Sequence, residues 1–265
     1  MLSVRGVHVT FNPGTALAVE ALRGVDLDVP AGQFVTVIGT NGAGKSTLLS
    51  MVAGDVRPDR GRVAVDGKDL TLLPARARAG VIGRVFQDPR IGTCASLSVE
   101  ENLALAASRG RRRNLRNALG GSRRRAFLAE QLERLGLGLQ DRITSPVGTL
   151  SGGQRQAVSL LMATLLPMKV LILDEHTAAL DPGAAAQVLA LSAEINKEQA
   201  LTTLMVTHSM RQALDYGDRT IMMTAGRIAL DVAGEERRRY EVGTLMELFK
   251  RNTGEPVEDD QLVLS

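Results

Sequence analysis

The sequence has few of the residues on which several functional classes depend. Its 265 residues include one cysteine, no tryptophan and two tyrosines, and aromatic residues make up 3% of the chain. A single cysteine, Cys94, excludes an intramolecular disulfide and a cysteine-rich metal site, which suits a reducing compartment. The scarcity of aromatic side chains removes the stacking platforms that single-stranded nucleic-acid binders use. We therefore expect neither a disulfide scaffold nor a nucleic-acid-binding protein.

Charge and hydropathy narrow the possibilities further. The 32 lysine and arginine residues nearly balance 29 acidic residues, so a net charge of +3 gives no general attraction for nucleic acid. The longest uncharged apolar stretch, 160–168, contains Pro167 and is far shorter than the roughly 20 residues of a membrane helix. Residues 1–10 alternate between apolar and polar side chains, and we expect no signal peptide there.

The order of apolar segments predicts an α/β fold. Alternation in residues 3–11 and 22–29 is typical of half-buried strands and predicts an antiparallel β portion. Later segments predict a mostly parallel sheet with crossover helices such as 183–195. These predicted strands are 34–38, 81–86, 170–173, 203–206 and 220–223, and 62–70 reads as a hairpin. From residue 98 to 136, leucines at helical spacing predict an inserted helical subdomain.

A glycine-rich loop lies between the predicted strand 34–38 and a predicted helix from Lys45 to about Ala53. Its glycines let backbone N–H groups converge on phosphate oxygens, and the helix directs its positive end at the same anion. Lys45 is placed to neutralise β- and γ-phosphates, Ser46 to bind Mg²⁺ and Thr47 to add a phosphate contact. The alternative is a turn that binds nothing, which the strand-loop-helix order disfavours. The loop reads Gly39-Thr40-Asn41-Gly42-Ala43-Gly44-Lys45-Ser46.

Two acidic residues end another apolar strand. Asp174 and Glu175 follow residues 170–173, which brings both carboxylates to the carboxyl end of a parallel sheet, where ligands of such folds bind. We interpret Asp174 as a holder of Mg²⁺ and Glu175 as the general base that polarises an attacking water molecule. Acids at strand ends are common, and the pair becomes informative through its combination with the phosphate loop.

A third motif makes a resemblance to a known family specific. Residues 150–156, Leu-Ser-Gly-Gly-Gln-Arg-Gln, resemble the signature of the ABC family, and the other motifs follow in the family's order over about the first 230 residues. Ser151 can cap the following helix while its hydroxyl and the N–H groups of Gly152 and Gly153 face an anion. The resemblance implies a P-loop ATPase core in which Ser151 to Gln154 of one subunit close over ATP held by the other. It therefore implies a head-to-tail dimer, with a homodimer as the simplest form.

Four further residues match motif positions of the ABC family. By resemblance, Phe11 stacks on adenine, and Gln87 touches Mg²⁺ and the attacking water and links to a transmembrane partner. Asp181 couples the two sites of the dimer, and His208 contacts the γ-phosphate. Plainer alternatives are a core position for Phe11, an ordinary polar loop position for Gln87 and a structural role for His208.

One residue departs from the family's pattern. His176 follows Glu175 where the family more often has proline or another small residue. Its side chain either alters the hydration of the base or faces away. We favour the second interpretation and assign His176 no catalytic role.

The spacing of the motifs separates classes of ABC protein. Roughly a hundred residues lie between Ser46 and Ser151, too few for the long coiled coils of chromosome and repair ATPases. Translation-type relatives carry two phosphate loops, and this chain has one. A subunit without a fused membrane span resembles an importer ATPase. A two-component exporter and a soluble ATPase of an assembly system stay open as alternatives.

A finer pattern resembles one bacterial importer subgroup. Residues 86–89, 96–103, 174–177 and 205–208 are similar to ATPases that accompany branched-chain-amino-acid-type permeases, some of them linked to tryptophan or tyrosine. The resemblance implies ATP-driven import of a small organic solute such as an amino acid. It places the subunit peripherally at the cytoplasmic face of the inner (plasma) membrane. Its implied partners are a transmembrane permease and an extracytoplasmic solute-binding protein, and the substrate rests on analogy.

The predicted organisation is an ABC ATPase domain over residues 1–234, with the helical subdomain at about 90–160, and a charged, loosely docked C-terminal extension over 235–265. Residues 109–125 carry a cluster of arginines. This segment either faces the permease or anionic headgroups, which would contribute about 1 kcal/mol for each basic residue near the surface, or is a solvated insertion.

Overall fold

The computed structural model describes residues 1–109 and 122–253, and for residues 252 and 253 it describes the backbone only. The chain forms two compact units. The first unit comprises Met1–Arg78 and the chain from Gln199 onward, and the second comprises Ala79–Glu198. Within the described ranges no helix is long and apolar enough to span a bilayer. The predicted domain limits at residues 90, 160 and 234 stay predictions.

The strands agree closely with the apolar segments of the sequence. They are β1 (Leu2–Phe11), β2 (Val19–Val29), β3 (Phe34–Gly39), β4 (Arg60–Val65), β5 (Lys68–Asp69), β6 (Ile82–Val85), β7 (Val170–Asp174), β8 (Thr202–Val206), β9 (Arg219–Thr224) and β10 (Arg227–Ala233). The helices are α1 (Lys45–Ala53), α2 (Ala75–Arg78), α3 (Pro89–Gly92), α4 (Val99–Ala107), α5 (Ser122–Glu133), α6 (Gly152–Thr164), α7 (Pro182–Gln199), α8 (Met210–Asp215), α9 (Gly234–Arg238) and α10 (Val242–Thr253).

An antiparallel sheet in the order β2-β1-β4-β5 lies in the first unit. Leu2 and Val4 are buried at two-residue spacing, because successive side chains of a strand point to opposite faces. An irregular register between Val4 and Val7 returns Val7 and Val9 to the same buried face. The antiparallel β portion predicted from the alternation is thereby confirmed.

The parallel strands of the first unit surround β3, which pairs with β8 on one side and β9 on the other. Every residue of β3 is buried, as expected for a central strand covered on both faces. β10 pairs antiparallel with β9 at the edge. This strand was not predicted from the sequence, although its alternating burial is typical of an edge strand with one face to solvent.

The C-terminal segment is more firmly packed than the sequence suggested. Leu245 and Phe249 of α10 are almost completely buried, in a cluster with Ile38, Met210 and Met222. The expectation of a loosely docked extension therefore does not hold for Val242–Thr253, and residues 254–265 lie outside the described chain.

The second unit contains the parallel pair β6 and β7 and a helical cluster. Val99, Leu103, Leu128, Leu132 and Val158 from α4, α5 and α6 form its core. Helices therefore lie between two strands of the sequence, as the leucine spacing predicted. Most of the arginine-rich segment, residues 110–121, lies outside the described chain.

Candidate functional site

The glycine-rich loop leaves β3 and enters α1 with its lysine turned inward. Lys45 is buried, and its Nζ donates to the carbonyl oxygens of Gly39 at 2.8 Å and Thr40 at 3.0 Å. The loop is closed further by hydrogen bonds from the Ala43 N–H to the Thr40 carbonyl and from the Gly226 N–H to the Ala43 carbonyl. The ammonium group of Lys45 is thus held at the start of α1 by the backbone of the loop.

Two of the loop glycines are required by their surroundings. A Cβ on Gly39, at φ 150°, would lie 2.3 Å from the Met223 carbonyl oxygen, and one on Gly44, at φ 100°, would lie 2.5 Å from that of Ala21. Both distances are too short for any side chain. Gly42 at φ 78° faces open space, so there only the left-handed backbone favours glycine.

The beginning of α1 is built to receive an anion. Gly44 stands at the N-cap and has no side chain with which to cap the helix, and the first turn holds no acidic residue. Ser46 is exposed and Thr47 is half-buried. Because the first N–H groups of a helix have no partner within the helix and carry its positive dipole end, they bind phosphate well.

His208 lies at the same edge of the sheet as this loop. β8 runs parallel to β3 with Val206 opposite Val37, so the segments that follow the two strands leave from the same end. The turn at His208 is fixed by its neighbours. The Ser209 N–H donates to Thr207 Oγ1 at 3.1 Å, and the Ser209 side chain caps α8.

Phe11 ends β1 with 41% of its surface exposed. The alternative that it is a core residue is therefore wrong. Its role against adenine stays a prediction.

In the second unit, Gln87, Asp174 and Glu175 follow two neighbouring parallel strands. Val85 of β6 is opposite Leu173 of β7, so the two segments end at one edge. Gln87 is exposed, whereas Asp174 is mostly buried and forms a 2.6 Å ion pair with Arg84 of β6. The arginine also lies over the Phe86 ring, 4.8 Å from its centroid. The ion pair therefore fixes the orientation of the Asp174 carboxylate.

The turn after β7 has an unusual backbone. Glu175 adopts φ 47°, a left-handed conformation that costs a residue with a side chain about 1–2 kcal/mol. His176 is 1% exposed, and its Nε2 lies 3.0 Å from Ser192 Oγ of α7. Burial lowers the pKa of His176 to about 4, so the ring is neutral at physiological pH. The favoured expectation, that this side chain faces away and does not alter the hydration of the base, agrees with its burial and its contact with α7.

The signature motif forms the beginning of α6, where Ser151 is the N-cap. Its Oγ accepts from the Gln154 N–H at 3.3 Å, and Gln154 Oε1 accepts from the Ser151 N–H at 3.3 Å, a complete capping box. The predicted cap is thus confirmed. Gln154 is held further by Arg142 and by the Leu137 carbonyl. Ser151 and Gly152 are exposed, so this helix end is open to solvent.

Asp181 caps α7, since its Oδ1 accepts from the Ala184 N–H at 3.0 Å. A Cβ on Gly153 would stand 2.8 Å from the Ala184 Cβ, so the beginning of α6 packs directly on the first turn of α7. Gly153 is needed for this approach. The side chain of Asp181 thus has a local structural contact, and its coupling role in a dimer stays a prediction.

Three residues that form hydrogen bonds or ion pairs in or beside the predicted site were not identified from the sequence. Arg84 pairs with Asp174, Ser192 bonds to His176, and the buried Gln156 donates through Nε2 to the Phe86 carbonyl at 3.0 Å, next to Gln87. Two sequence features point weakly to these partners: Gln156 belongs to the signature motif, and Arg84 is a charged residue within an apolar strand. Ser192 gave no signal, because its partner lies 16 residues earlier.

The predicted magnesium ligands divide between the units, with Ser46 in the first and Gln87 and Asp174 in the second. Hydroxyl, amide and carboxylate oxygens are the donors that Mg²⁺ prefers, so the donor set fits the ion. Across the described ranges no group of three or more His, Cys, Asp and Glu side chains forms a self-contained metal site.

Comparison with known proteins gives a consistent result. Residues 22–178 match the ABC transporter family. The tyrosine transport ATP-binding protein of Clostridioides difficile (strain R20291) is 40% identical over 250 residues, which cover 94% of this chain and 99% of that protein. The methionine import ATP-binding protein MetN 1 of Burkholderia lata is 37% identical, over 86% of this chain and 64% of that protein. A solved dimeric ATP-binding cassette in a post-hydrolysis state, bound to ADP and Pi, has a TM-score of 0.73 and 26% identity, covering 88% of this chain and 98% of that one.

Proposed function

This chain belongs to the ABC transporter family, and we propose that it drives the import of a small organic solute such as an amino acid. It is an ATP-binding subunit that hydrolyses ATP to power transport, with the mixed α/β fold of ABC cassettes. The observation that carries the catalytic part of the proposal is the conformation of residues 39–46. A buried ammonium and an uncapped helix start form a site for a polyphosphate.

The first unit binds the nucleotide in this proposal. Lys45 and the first N–H groups of α1 neutralise the β- and γ-phosphates, the backbone of Thr40, Asn41 and Ala43 lines the loop, and Thr47 adds a contact. The exposed ring of Phe11 stacks on adenine. Ser46, Gln87 and Asp174 would hold Mg²⁺, which supplies positive charge against the phosphate oxygens.

The residues at the ends of β6, β7 and β8 carry the hydrolytic step. Glu175 accepts a proton from the attacking water, and Gln87 orients that water. His208 contacts the γ-phosphate and stabilises the charge that develops on it. The ion pair with Arg84 orients the Asp174 carboxylate at the end of β7, which supports its role as a metal holder.

A second copy of the chain completes the site. The N-terminal end of α6, with Ser151, Gly152, Gly153 and Gln154, is an anion-binding helix start that the chain's own phosphate loop does not require. We assign it to the ATP of the partner subunit, with Asp181 near the contact. The similarity to a dimeric cassette bound to ADP and Pi supports this arrangement.

Transport requires membrane partners. Full-length similarity to a tyrosine transport ATP-binding protein supports an amino acid as the solute, and it agrees with the resemblance to ATPases of branched-chain-amino-acid-type permeases. The subunit would lie peripherally at the cytoplasmic face of the membrane, with a permease contacted through the segment after Gln87. An extracytoplasmic binding protein would deliver the solute.

The substitution Glu175→Gln tests the hydrolytic step. We expect ATP affinity to stay within about twofold and turnover to fall at least about hundredfold, because the amide takes up no proton. An ATP-dependent dimer should accumulate, which size-exclusion chromatography would detect. Glu194→Gln, at an exposed position of α7, is the matched control and should keep normal turnover. Wild-type turnover in Glu175→Gln would refute the assignment of the base.

Co-expression with the neighbouring genes tests the transport assignment. We expect the chain to purify in detergent with a polytopic permease, and the complex in nanodiscs to hydrolyse ATP faster when a binding protein loaded with tyrosine or a branched-chain amino acid is added. Purification with soluble assembly proteins and no membrane protein would contradict transport. It would favour the soluble assembly ATPase.

A further inference from the structure

The residue after the proposed base is tied to a helix that lies deep in the second unit. His176 and Ser192 are each 1% exposed, and their Nε2 and Oγ atoms are 3.0 Å apart. Ser192 Oγ also donates to the Val188 carbonyl at 2.7 Å. Because a hydroxyl has one proton, Ser192 accepts from His176, and the ring carries its proton on Nε2. The geometry of the network thus determines the tautomer.

This hydrogen bond lies next to a turn with a strained backbone. Glu175 is at φ 47°, and the turn is closed by bonds from the Ala178 N–H to the Glu175 carbonyl and from the Leu180 N–H to the Thr177 carbonyl. Such a backbone persists where surrounding contacts determine it. The buried ring of His176 supplies such a contact directly next to Glu175.

The helix on the other side of this bond also contacts the signature. Ala184, Val188 and Ser192 follow one another at four-residue spacing and therefore share one face of α7. Ala184 packs against Gly153, and Ser192, about 12 Å further along the helix, bonds to His176. One stiff element thus touches both the residue next to the base and the beginning of α6.

We propose that His176 is a positioning residue, which holds the carboxylate of Glu175 at its working place by fixing the turn to α7 through Ser192. This inference rests on the proposed role of Glu175 as the base. It assigns His176 no contact with ATP or water. Because α7 also packs on α6, the bond aligns the chain's own base with the helix start that serves the partner's ATP.

Two substitutions remove the bond from either side. His176→Phe keeps a buried ring without a donor, and Ser192→Ala removes the acceptor. We expect kcat for ATP hydrolysis to fall about ten- to hundredfold in both, since small displacements of a reacting group are costly. KM and the dissociation constant for ATP should stay within about twofold. His176→Gln, whose amide can donate near the position of Nε2, should recover most of the rate.

A double-mutant cycle with Glu175→Gln separates positioning from a general loss of structure. If His176 acts through Glu175, His176→Phe should slow the Glu175→Gln enzyme by less than about twofold, because no base remains to be misplaced. Equal fold losses in both backgrounds would overturn the proposal. So would normal kcat in both His176→Phe and Ser192→Ala.

A matched control removes a comparable hydroxyl elsewhere. Thr164 of α6 donates through Oγ1 to the Leu160 carbonyl at 2.9 Å, as Ser192 does to Val188, and Thr164→Val should leave kcat unchanged. If Thr164→Val lowered kcat as much as Ser192→Ala does, the effect of Ser192→Ala would not be specific to its bond with His176, and the proposal would be refuted. If Glu175→Gln hydrolyses ATP slowly but His176→Phe hydrolyses it at the wild-type rate, the role of His176 is refuted and the proposed function stands. If Glu175→Gln itself hydrolyses ATP at the wild-type rate, the proposed role of Glu175 as the base is refuted.

Discussion

Two helices of this chain begin at glycine-rich motifs, and their first turns are built differently. α1 begins after Gly44, a residue with no side chain, and the first residue of the helix is the buried Lys45. α6 begins after Ser151, whose hydroxyl and backbone are already engaged in a capping box with Gln154. Both ends lack acidic residues and can face an anion. The cation at α1 is a buried lysine bonded to the loop backbone, whereas the cation at α6 is Arg142, which donates to the Gln154 side chain.

The difference indicates how strongly each end binds phosphate by itself. An uncapped helix start with a fixed ammonium satisfies its N–H groups through a ligand, so it should bind ATP in the single chain. A capped start is already satisfied and gains less from an anion. It should therefore contribute only when a partner subunit presents ATP that is already bound. Three pairs of substitutions test this comparison.

The largest expected effect belongs to the first helix start. Lys45→Ala removes the buried ammonium and its bonds to the Gly39 and Thr40 carbonyls. We expect ATP affinity to fall about hundredfold, or about 3 kcal/mol, measured by calorimetry on the isolated chain. Lys68→Ala, at an exposed position of β5, removes the same charge and should change affinity by less than about twofold. Equal affinities of Lys45→Ala and wild type would show that α1 and α6 do not differ in this way.

A smaller effect follows from the backbone of the same loop. Gly44→Ala would force a Cβ to 2.5 Å from the Ala21 carbonyl at φ 100°, whereas Gly42→Ala meets nothing within 4 Å at φ 78°. We expect the free energy of unfolding to fall by about 2 kcal/mol for Gly44→Ala and by about 1 kcal/mol for Gly42→Ala. Urea denaturation without nucleotide measures both. Equal losses would mean that conformation alone, and not close approach, requires Gly44.

Much of the first helix start was predictable because its signals are local. A strand that is apolar except for Thr36, followed by three glycines and a lysine within 13 residues, predicted β3, the loop and a helix from Lys45 to Ala53. The helix α1 has those bounds. The N-cap of α6 was equally readable from Ser151, whereas the return bond from the Gln154 side chain was not predicted. Local sequence is informative where the backbone itself forms the structure.

The partners of the second unit depend on packing that sequence patterns do not encode. The pairing of Arg84 with Asp174 depends on β6 lying next to β7 in the sheet. The hydrogen bond of His176 depends on α7 packing against the turn that follows β7. The burial of Phe249 was hidden because charged residues surround it in α10. The roles of the site residues stay predictions for a related reason: each needs a ligand or a second copy.

The smallest expected effect tests the second helix start, and the chain supplies its own control. Ser151→Ala and Ser98→Ala each remove a complete capping box, from α6 and α4 respectively. Each should lower the free energy of unfolding by about 1 kcal/mol and leave ATP affinity of the isolated chain unchanged. Only Ser151→Ala should also slow hydrolysis, about tenfold, at protein concentrations at which the dimer forms. If Ser98→Ala slowed hydrolysis equally, Ser151 would be a cap and nothing more, and the assignment of α6 to the partner's ATP would lose its support.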